Sequence, residues 1–387
     1  MKRKHKSLLA AFLGTVLLVI GGVYFSTRGR PYQPPSFGFH GESKDLRQSV
    51  VVPTLDTPMP KGRNVVWCGT TQLGWKHLEK DVLHAPPVIP GAEPVISRLN
   101  RALLKENDLP AGSFIATAGY IKDGIAEKVK TEMAQRFQKT VELGSMLEPD
   151  GILVYSYLQT ACAFSIPFFD NREPFRFRDS TGEETEVTAF GIEEKHEYAY
   201  QRLRDQIDVL YALRNRRKME VEEFALDLCK DSSPNQFVVA SVPPKEDLLA
   251  TLRDVEEKID KYPKRVVSET GNPEAVNFCK EFGIRDVLLV PNMNWEIQHR
   301  FAELEGSDKK FANPGFTGYY IERAEQMIRF KLDRSGAELA SESKIYCKPM
   351  ATHYVLDRPF LIYIKKRGQK HPFFVMWVDN AELLSKP

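Results

Sequence analysis

Residues 336–348 alternate with period two and lead directly into a strongly apolar C-terminal pair of segments, 360–364 and 373–378. Ala337, Leu339, Ser341, Ser343, Ile345 and Cys347 make one small or apolar row, and Glu338, Glu342, Lys344, Tyr346 and Lys348 dominate the other. Successive side chains of a strand point to opposite faces, so this stretch is suited to a sheet with one side buried. The basic turn Lys365-Lys366-Arg367-Gly368-Gln369-Lys370 joins the two apolar runs into a predicted hairpin. A chain carrying such a hairpin must build a sheet around it.

The rest of the composition is that of a globular protein. The 387 residues are 42% apolar and 27% charged, enough for a large core, and 54 basic against 52 acidic side chains leave a net charge of +2. No global field favours nucleic acid, and no nucleic-acid partner is expected. Residues 7–25 carry no charge and follow Lys2, Arg3, Lys4 and Lys6. Nineteen uncharged residues in a helix span a hydrocarbon core of about 30 Å, and the basic flank stays cytoplasmic. Residues 1–27 therefore read as a membrane anchor or uncleaved signal, since 22–27 offer no small-residue cleavage pattern. The chain beyond is then single-pass and outside the cytoplasm. Six prolines in 31–60 make 28–61 a spacer, and 62–387 is the expected folded domain. The five cysteines, at 68, 162, 229, 279 and 347, are widely spaced with no CxxC, and most read as small buried apolar residues. The odd number leaves at least one thiol unpaired within a monomer.

Along the chain, Leu73, Trp75, Leu78 and Val82 suggest a helical segment within 66–82, and Pro94 opens a second helix carrying Val95, Leu99 and Leu103. Ile125, Val129, Met133 and Phe137 repeat every fourth residue, the mark of an amphipathic helix. From 151 the texture becomes strands: 152–158, then 174–177 and 185–190 around the turn Asp179-Ser180-Thr181-Gly182, then 224–228 and 237–242. Leu248, Leu252, Val255 and Ile259 form another helix face. Val287 to Val290, then Met293, Trp295 and Ile297, and finally Ile328, Phe330 and Leu332, alternate as strands. Helices come first and strands follow without regular alternation, so the expected class is α+β with largely antiparallel sheet.

Motifs for chemistry are missing: no HExxH, no GxSxG, no phosphate loop and no GxGxxG turn occur. No cofactor or metal is expected, and the chain does not read as an enzyme. Glu193-Glu194-Lys195-His196-Glu197 reads as a solvated turn or helix face, and Arg214, Arg216, Arg217 and Lys218 as an exposed basic loop. Trp67, Trp75, Trp295 and Trp377 sit in apolar patterns and read as core.

The final sixty residues resemble the C-terminal part of a serpin. Asp333 to Gly336 resembles the family's hinge entry, Leu356 to Ile364 its phenylalanine-rich strand, and Phe373 to Asn380 the strand that pairs with it. Upstream, Tyr157-Leu158 with Ile166-Pro167-Phe168, then 174–190, and Val290-Pro291 to Ile297 resemble further family segments in the same order. The resemblance covers about 151–385, with a loose helical correspondence over 64–140. It implies a helical N-terminal part packed on largely antiparallel sheets, with an exposed or inserted loop near the C-terminus. It also implies a mechanism in which a serine or cysteine protease attacks the loop, which then inserts as a new strand and distorts the enzyme. The implied reactive loop contains Gly336, Ala337, Glu338, Leu339, Ala340, Ser341, Lys348, Met350 and Ala351, with the scissile bond near Met350-Ala351 or after Lys348. Arg334 stands where the family has its hinge glutamate, Leu339 and Glu342 interrupt its alanine-rich hinge, and Cys162 stands near its tryptophan. A non-inhibitory binding or scaffold protein, with 337–347 as a permanent sheet strand, is the alternative expectation.

Overall fold

The apolar C-terminal runs are strands β17 (Phe360–Lys366) and β18 (Pro372–Val378), and they lie in the middle of the largest sheet. The computed structural model describes residues 39–143, 148–193, 201–215, 220–335 and 352–387. The sheet runs β10 (Asp208–Asn215), β11 (Glu220–Asp227), β12 (Asn235–Ser241), β17, β18, β3 (Asn64–Cys68), β2 (Ser49–Val51). All its neighbours are antiparallel except β2 and β3. Every residue of β18 and the first five of β17 are buried, which explains why both read as continuous apolar runs rather than alternating ones. Helix α4 (Leu248–Thr270) covers the sheet with Leu252, Val255, Tyr262 and Val266. Asp247 caps its first turn, accepting from Ala250 N at 2.7 Å, and Glu256 receives Tyr363 Oη at 2.8 Å and Lys365 Nζ at 2.9 Å from β17.

One buried side chain fastens the first strands of the described unit to its C-terminal end. Asn64, fully buried on β3, donates to Ser49 Oγ (3.0 Å) and Asn380 Oδ1 (2.8 Å) and accepts from the backbone N–H groups of Asp379 (2.8 Å) and Asn380 (3.0 Å). Asn380 in turn donates to the carbonyls of Gln48 and Gly62, while Glu382 accepts from Arg47 N, Gln48 N and Ser49 Oγ. All of the Asn64 amide's hydrogen-bonding groups are used, the condition under which a buried polar group is tolerated.

That network corrects the expected spacer. The compact unit runs from Ser36 to Pro387, and residues 39–61 belong to it. Strand β1 (Phe39–Glu42) pairs in parallel with β14 (Met293–Arg300), and β2 pairs with β3. Prolines at 53, 58 and 60 fall between these short strands, where no ladder N–H is needed. A three-stranded sheet follows in the order β1, β14, β15 (Glu325–Leu332). On β15 the predicted alternation is realised, with Gln326, Ile328, Phe330 and Leu332 inside. Trp295 and Phe330 meet at 5.5 Å between centroids, and Phe330 stacks on Phe374 at 4.8 Å, joining this sheet to β18.

The helical part adds α1 (Thr70–His77), α2 (Glu93–Asn100) and α3 (Ile125–Phe137), the last two where the periodicity placed them except that α2 ends before Leu103, which is exposed. The segment 66–82 is not one helix. Strand β3 carries the β-branched pair Val65-Val66, Gly69 breaks the chain, and α1 begins at Thr70. A strand β4 (Phe114–Tyr120), which its mixed composition concealed, pairs along its whole length with β5 (Ile152–Leu158). Tyr155 and Tyr157 on one face of β5 join a small cluster with Val129 and Met133 of α3, whereas Ser156 on the other reaches α1. A four-stranded sheet has the order β16 (His353–Val355), β13 (Val287–Pro291), β9 (Ala189–Ile192), β6 (Phe169–Asp170). Strands β9 and β13 approach so closely that a Cβ on Gly191 would sit 1.8 Å from the Leu288 carbonyl oxygen, which requires glycine there. The hairpin β7 (Phe175–Arg178) and β8 (Glu184–Val187) turns at Asp179 to Gly182 as predicted, with Asp179 Oδ1 accepting from the N–H groups of Thr181 and Glu183. The fold is α+β with largely antiparallel sheets, the class expected. All four tryptophans are core, and Arg214 lies in strand β10 rather than in a loop.

Two stability predictions follow from this packing. Asn64→Ala strands two backbone donors and two side-chain groups in the core, so urea denaturation should show a loss of about 3 kcal/mol. His299 on β14 is half-buried against Ser43, Nδ1 to Oγ 2.7 Å, and burial lowers its imidazole to about 4. Its folded pKa lies below the unfolded value of about 6.5, so its contribution is complete above that pH and is lost as pH falls from about 6.5 toward 4. His299→Gln should flatten the decline of melting temperature over that window, an effect of about 1 kcal/mol between pH 7 and 5 after allowing for partial exposure.

Candidate functional site

Strands β5 and β15 each leave one edge without a partner strand among the described residues. β5 is paired with β4 at all seven positions and β15 with β14 at all eight, and no backbone hydrogen bond joins β5 to β15. Side chains nevertheless hold them side by side. Thr70, at the start of α1, accepts from Ser156 Oγ of β5 at its carbonyl oxygen (2.6 Å) and from Gln326 Nε2 of β15 at its hydroxyl. Gln326 Nε2 also donates to the Cys68 carbonyl at 3.0 Å, while its buried Oε1 finds no donor among the described residues. Ahead of both strands, Tyr319 Oη donates to the Asp150 carbonyl at 3.1 Å. Beyond both, Phe168 N donates to the Arg334 carbonyl (3.2 Å) and Arg334 Nε to the Phe168 carbonyl (2.7 Å), with Asp170 Oδ2 3.1 Å from Arg334 Nη1. The two strands therefore run in the same direction, each with one edge unpaired by a strand among the described residues, an arrangement that can accept a further strand.

The chain that leaves β15 returns in β16, and both ends of that connection are anchored on the four-stranded sheet. Upstream, Arg334 grips Phe168 and Asp170 at β6, and Asp333 Oδ1 accepts from Ser335 N at 2.8 Å. Downstream, Asp286 is only 6% exposed, and its carboxylate accepts from Thr352 N and Gly283 N, both at 2.9 Å. Arg204, 1% exposed, donates through Nη1 to the carbonyls of Gly283 and Asp286 at 2.8 Å and lies over the Phe282 ring. Val287 N then donates to the Thr352 carbonyl at 2.8 Å, starting the parallel pairing of β13 with β16. In register, Phe169, Gly191, Leu289 and Val355 form one row across β6, β9, β13 and β16. Three interstrand steps of about 4.8 Å thus separate the two ends of the connection by about 15 Å.

The residues expected to form the reactive loop, Gly336, Ala337, Glu338, Leu339, Ala340, Ser341, Lys348, Met350 and Ala351, lie outside the described residues, as do residues 7–25 and 194–200. Arg334, singled out in the sequence only as a substitute for a glutamate, has a definite role as the upstream anchor. Thr70, Asp286, Arg204 and Gln326 were not legible as site residues. Each works through backbone carbonyls, backbone N–H groups or a residue distant in sequence, which no local motif encodes. No helix among the described residues is long and apolar enough to cross a membrane, and no cluster of metal ligands occurs among them.

No protein-family model matches the sequence, and no curated protein matches it. Solved structures do resemble it. Thyroxine-binding globulin in complex with thyroxine aligns at 12% identity over 84% of this chain and 93% of its own, with a TM-score of 0.43. Human glycosylated kallistatin aligns at 14% over 83% and 92%, also at 0.43. Serpin48 of the insect Tenebrio molitor, described as a highly specific serpin, aligns at 12% over 81% and 96%, at 0.37. At such values nothing about activity follows from these similarities.

Asp286→Ala should free the downstream end of the connection. Amide exchange at Thr352 to Val355 should accelerate by at least tenfold while that of β17 and β18 is unchanged, with a loss of about 2–4 kcal/mol in urea. Unaltered exchange at Thr352 would show that Asp286 does not hold this end.

Proposed function

We propose that this chain is a serpin-like protease inhibitor, acting outside the cytoplasm from an N-terminal membrane anchor in residues 7–25. Its partner is a serine or cysteine protease that cleaves the connection between β15 and β16, and the freed segment enters the space between β5 and β15. The observation that carries this reading is the pair of partnerless edges on two strands of like direction, with the connection starting at the end of one of them. An inserted strand would satisfy both edges at once, and that gain is the driving force the mechanism needs. The chain itself performs no catalysis in this reading; the protease supplies the chemistry, and no cofactor or nucleic acid takes part.

Chain length weighs against the alternative of a permanent strand. Residues 337–347 laid between β5 and β15 would carry the chain about 36 Å from its entry point. The four residues 348–351 span about 14 Å at most. That is short of the way back to Thr352 while β16 pairs with β13 and Asp286 holds the Thr352 amide. Sixteen residues linking ends about 15 Å apart have ample slack as an outer loop. A non-inhibitory binding role is favoured by a different observation. Arg334 is tied by Phe168 and Asp170 at the point where insertion must start, and Leu339 follows five residues later. Overpacking at a slot shaped for a small residue costs about 1–3 kcal/mol.

Incubation of the anchor-free protein with trypsin-, chymotrypsin- and elastase-like enzymes and a papain-like enzyme separates these readings. Inhibition should give an SDS-resistant adduct with one of them, cleaved after Lys348 or Met350. Nicking alone should raise the melting temperature by more than 10 °C as the segment inserts. Cleavage with neither an adduct nor a change in melting temperature would overturn the inhibitory reading in favour of the binding one.

A further inference from the structure

The segment that leaves β5 passes directly over the end of the seven-stranded sheet, and a cysteine lies on each side of that contact. Asn235, the first residue of β12, donates through Nδ2 to Thr160 Oγ1 (2.6 Å) and the Ala161 carbonyl (2.9 Å). Arg367, in the turn between β17 and β18, donates through Nη2 to the carbonyls of Cys229 (2.9 Å) and Asn235 (3.2 Å). Its Nη1 lies 2.8 Å from Asp227 Oδ2, and Asp227 Oδ1 accepts from Cys229 N at 3.0 Å. These contacts bring residues 160–162 against the turn that follows β11. Cys162, half-buried, follows Ala161 directly, Cys229 lies buried in the turn, and both thiols are free and close enough for Cys229 to act on Cys162.

The geometry points to a redox-formed crosslink, in which Cys162 and Cys229 become an intrachain disulfide under oxidising conditions. Asn235 holds Thr160 and Ala161 on one side and Arg367 holds the Cys229 carbonyl and Asn235 on the other, so the two thiols need no large movement to reach bonding distance. The oxidant is a low-molecular-weight disulfide such as oxidised glutathione. The Cys162 thiolate, on the more accessible side, attacks one sulfur of that disulfide, forms a mixed disulfide and releases one glutathione thiol. Cys229 then gives up its proton and attacks the Cys162 sulfur, and the second glutathione thiol leaves. Two protein thiols are oxidised and one external disulfide becomes two thiols. The neighbouring Cys229 thiol and burial both push the Cys162 thiol upward, so its thiolate is scarce at neutral pH and the exchange is slow, accelerating as pH rises. The bond would close a loop of about 67 residues and join the segment bordering β5 to the seven-stranded sheet, a constraint placed mainly on the unfolded chain. It does not depend on the inhibitory reading.

The test uses the full chain in detergent, equilibrated in glutathione buffers from fully reduced to fully oxidised, then blocked with iodoacetamide and mapped by mass spectrometry without reductant. Oxidation should yield a peptide pair linked through Cys162 and Cys229 with the loss of two hydrogens, while Cys68, Cys279 and Cys347 remain alkylated. The melting temperature should rise by several degrees on oxidation and fall back on reduction. Cys162→Ser, at the half-buried site, should fold normally and show neither change, so the test stands even if Cys229→Ser fails to fold. Alkylation of both Cys162 and Cys229 throughout the oxidised range, a glutathione adduct that stops at Cys162, or pairing of either with a third cysteine would each overturn the proposal.

Discussion

The structure depends on a polar side chain placed where polarity is costly. Asn64 lies on β3, in a row otherwise made of Val65, Val66 and Trp67, all buried to the same degree. It holds the start of β2 on one side and the end of β18 on the other, and both contacts are to residues more than three hundred positions away or fifteen back. An apolar residue would fill the space but would leave the Asp379 and Asn380 amides without acceptors. The register of the two central strands with the N-terminal ones is fixed through that requirement, because a one-residue slip would misplace every donor. The stack of Trp295, Phe330 and Phe374 then transmits the position of β18 to β14 and β15.

The sequence was legible where burial obeys a simple period. Helix 125–137 repeats in step with one buried face, and strands 152–158, 287–290 and 360–364 stand out as short apolar runs, so the hydrophobic pattern locates them. The α+β class and the C-terminal hairpin were readable for the same reason. Strand β4, with Ala116, Thr117, Ala118 and Gly119, has little contrast between its faces and gave no signal. The stretch 39–61 was misread because prolines suggested a spacer, although the short strands between them are recruited by β3 and β14. The site was hardest to read. Its anchors, Arg334, Asp286 and Arg204, act on backbone groups that become neighbours only after the sheets assemble.

Those anchors share one physical logic. Each end of the connection between β15 and β16 is held by a charged side chain bonded to main-chain groups, at Phe168 on one side and at Thr352 and Gly283 on the other. Charge-assisted bonds of this kind are stronger than neutral ones and directional, so they fix where a segment begins and ends without constraining its interior. The same device appears at Asp179 in the β7–β8 turn and at Asp247 below α4. In this molecule carboxylates and guanidinium groups set boundaries, and apolar alternation fills the spans between them.

The position of β17 and β18 has a consequence for how the molecule comes into being. These are the last of the described strands in sequence, yet they sit between β12 and β3, whose residues emerge more than a hundred positions earlier. Until they arrive the largest sheet has a vacancy at its centre, and β12 and β3 present bare edges and apolar faces to whatever is near. Such non-local closure is slow, and intermediates of this type are prone to association. A chain cut between β12 and β17 would therefore lose the middle of this sheet rather than its margin, and the nascent protein is most vulnerable until β17 and β18 have emerged.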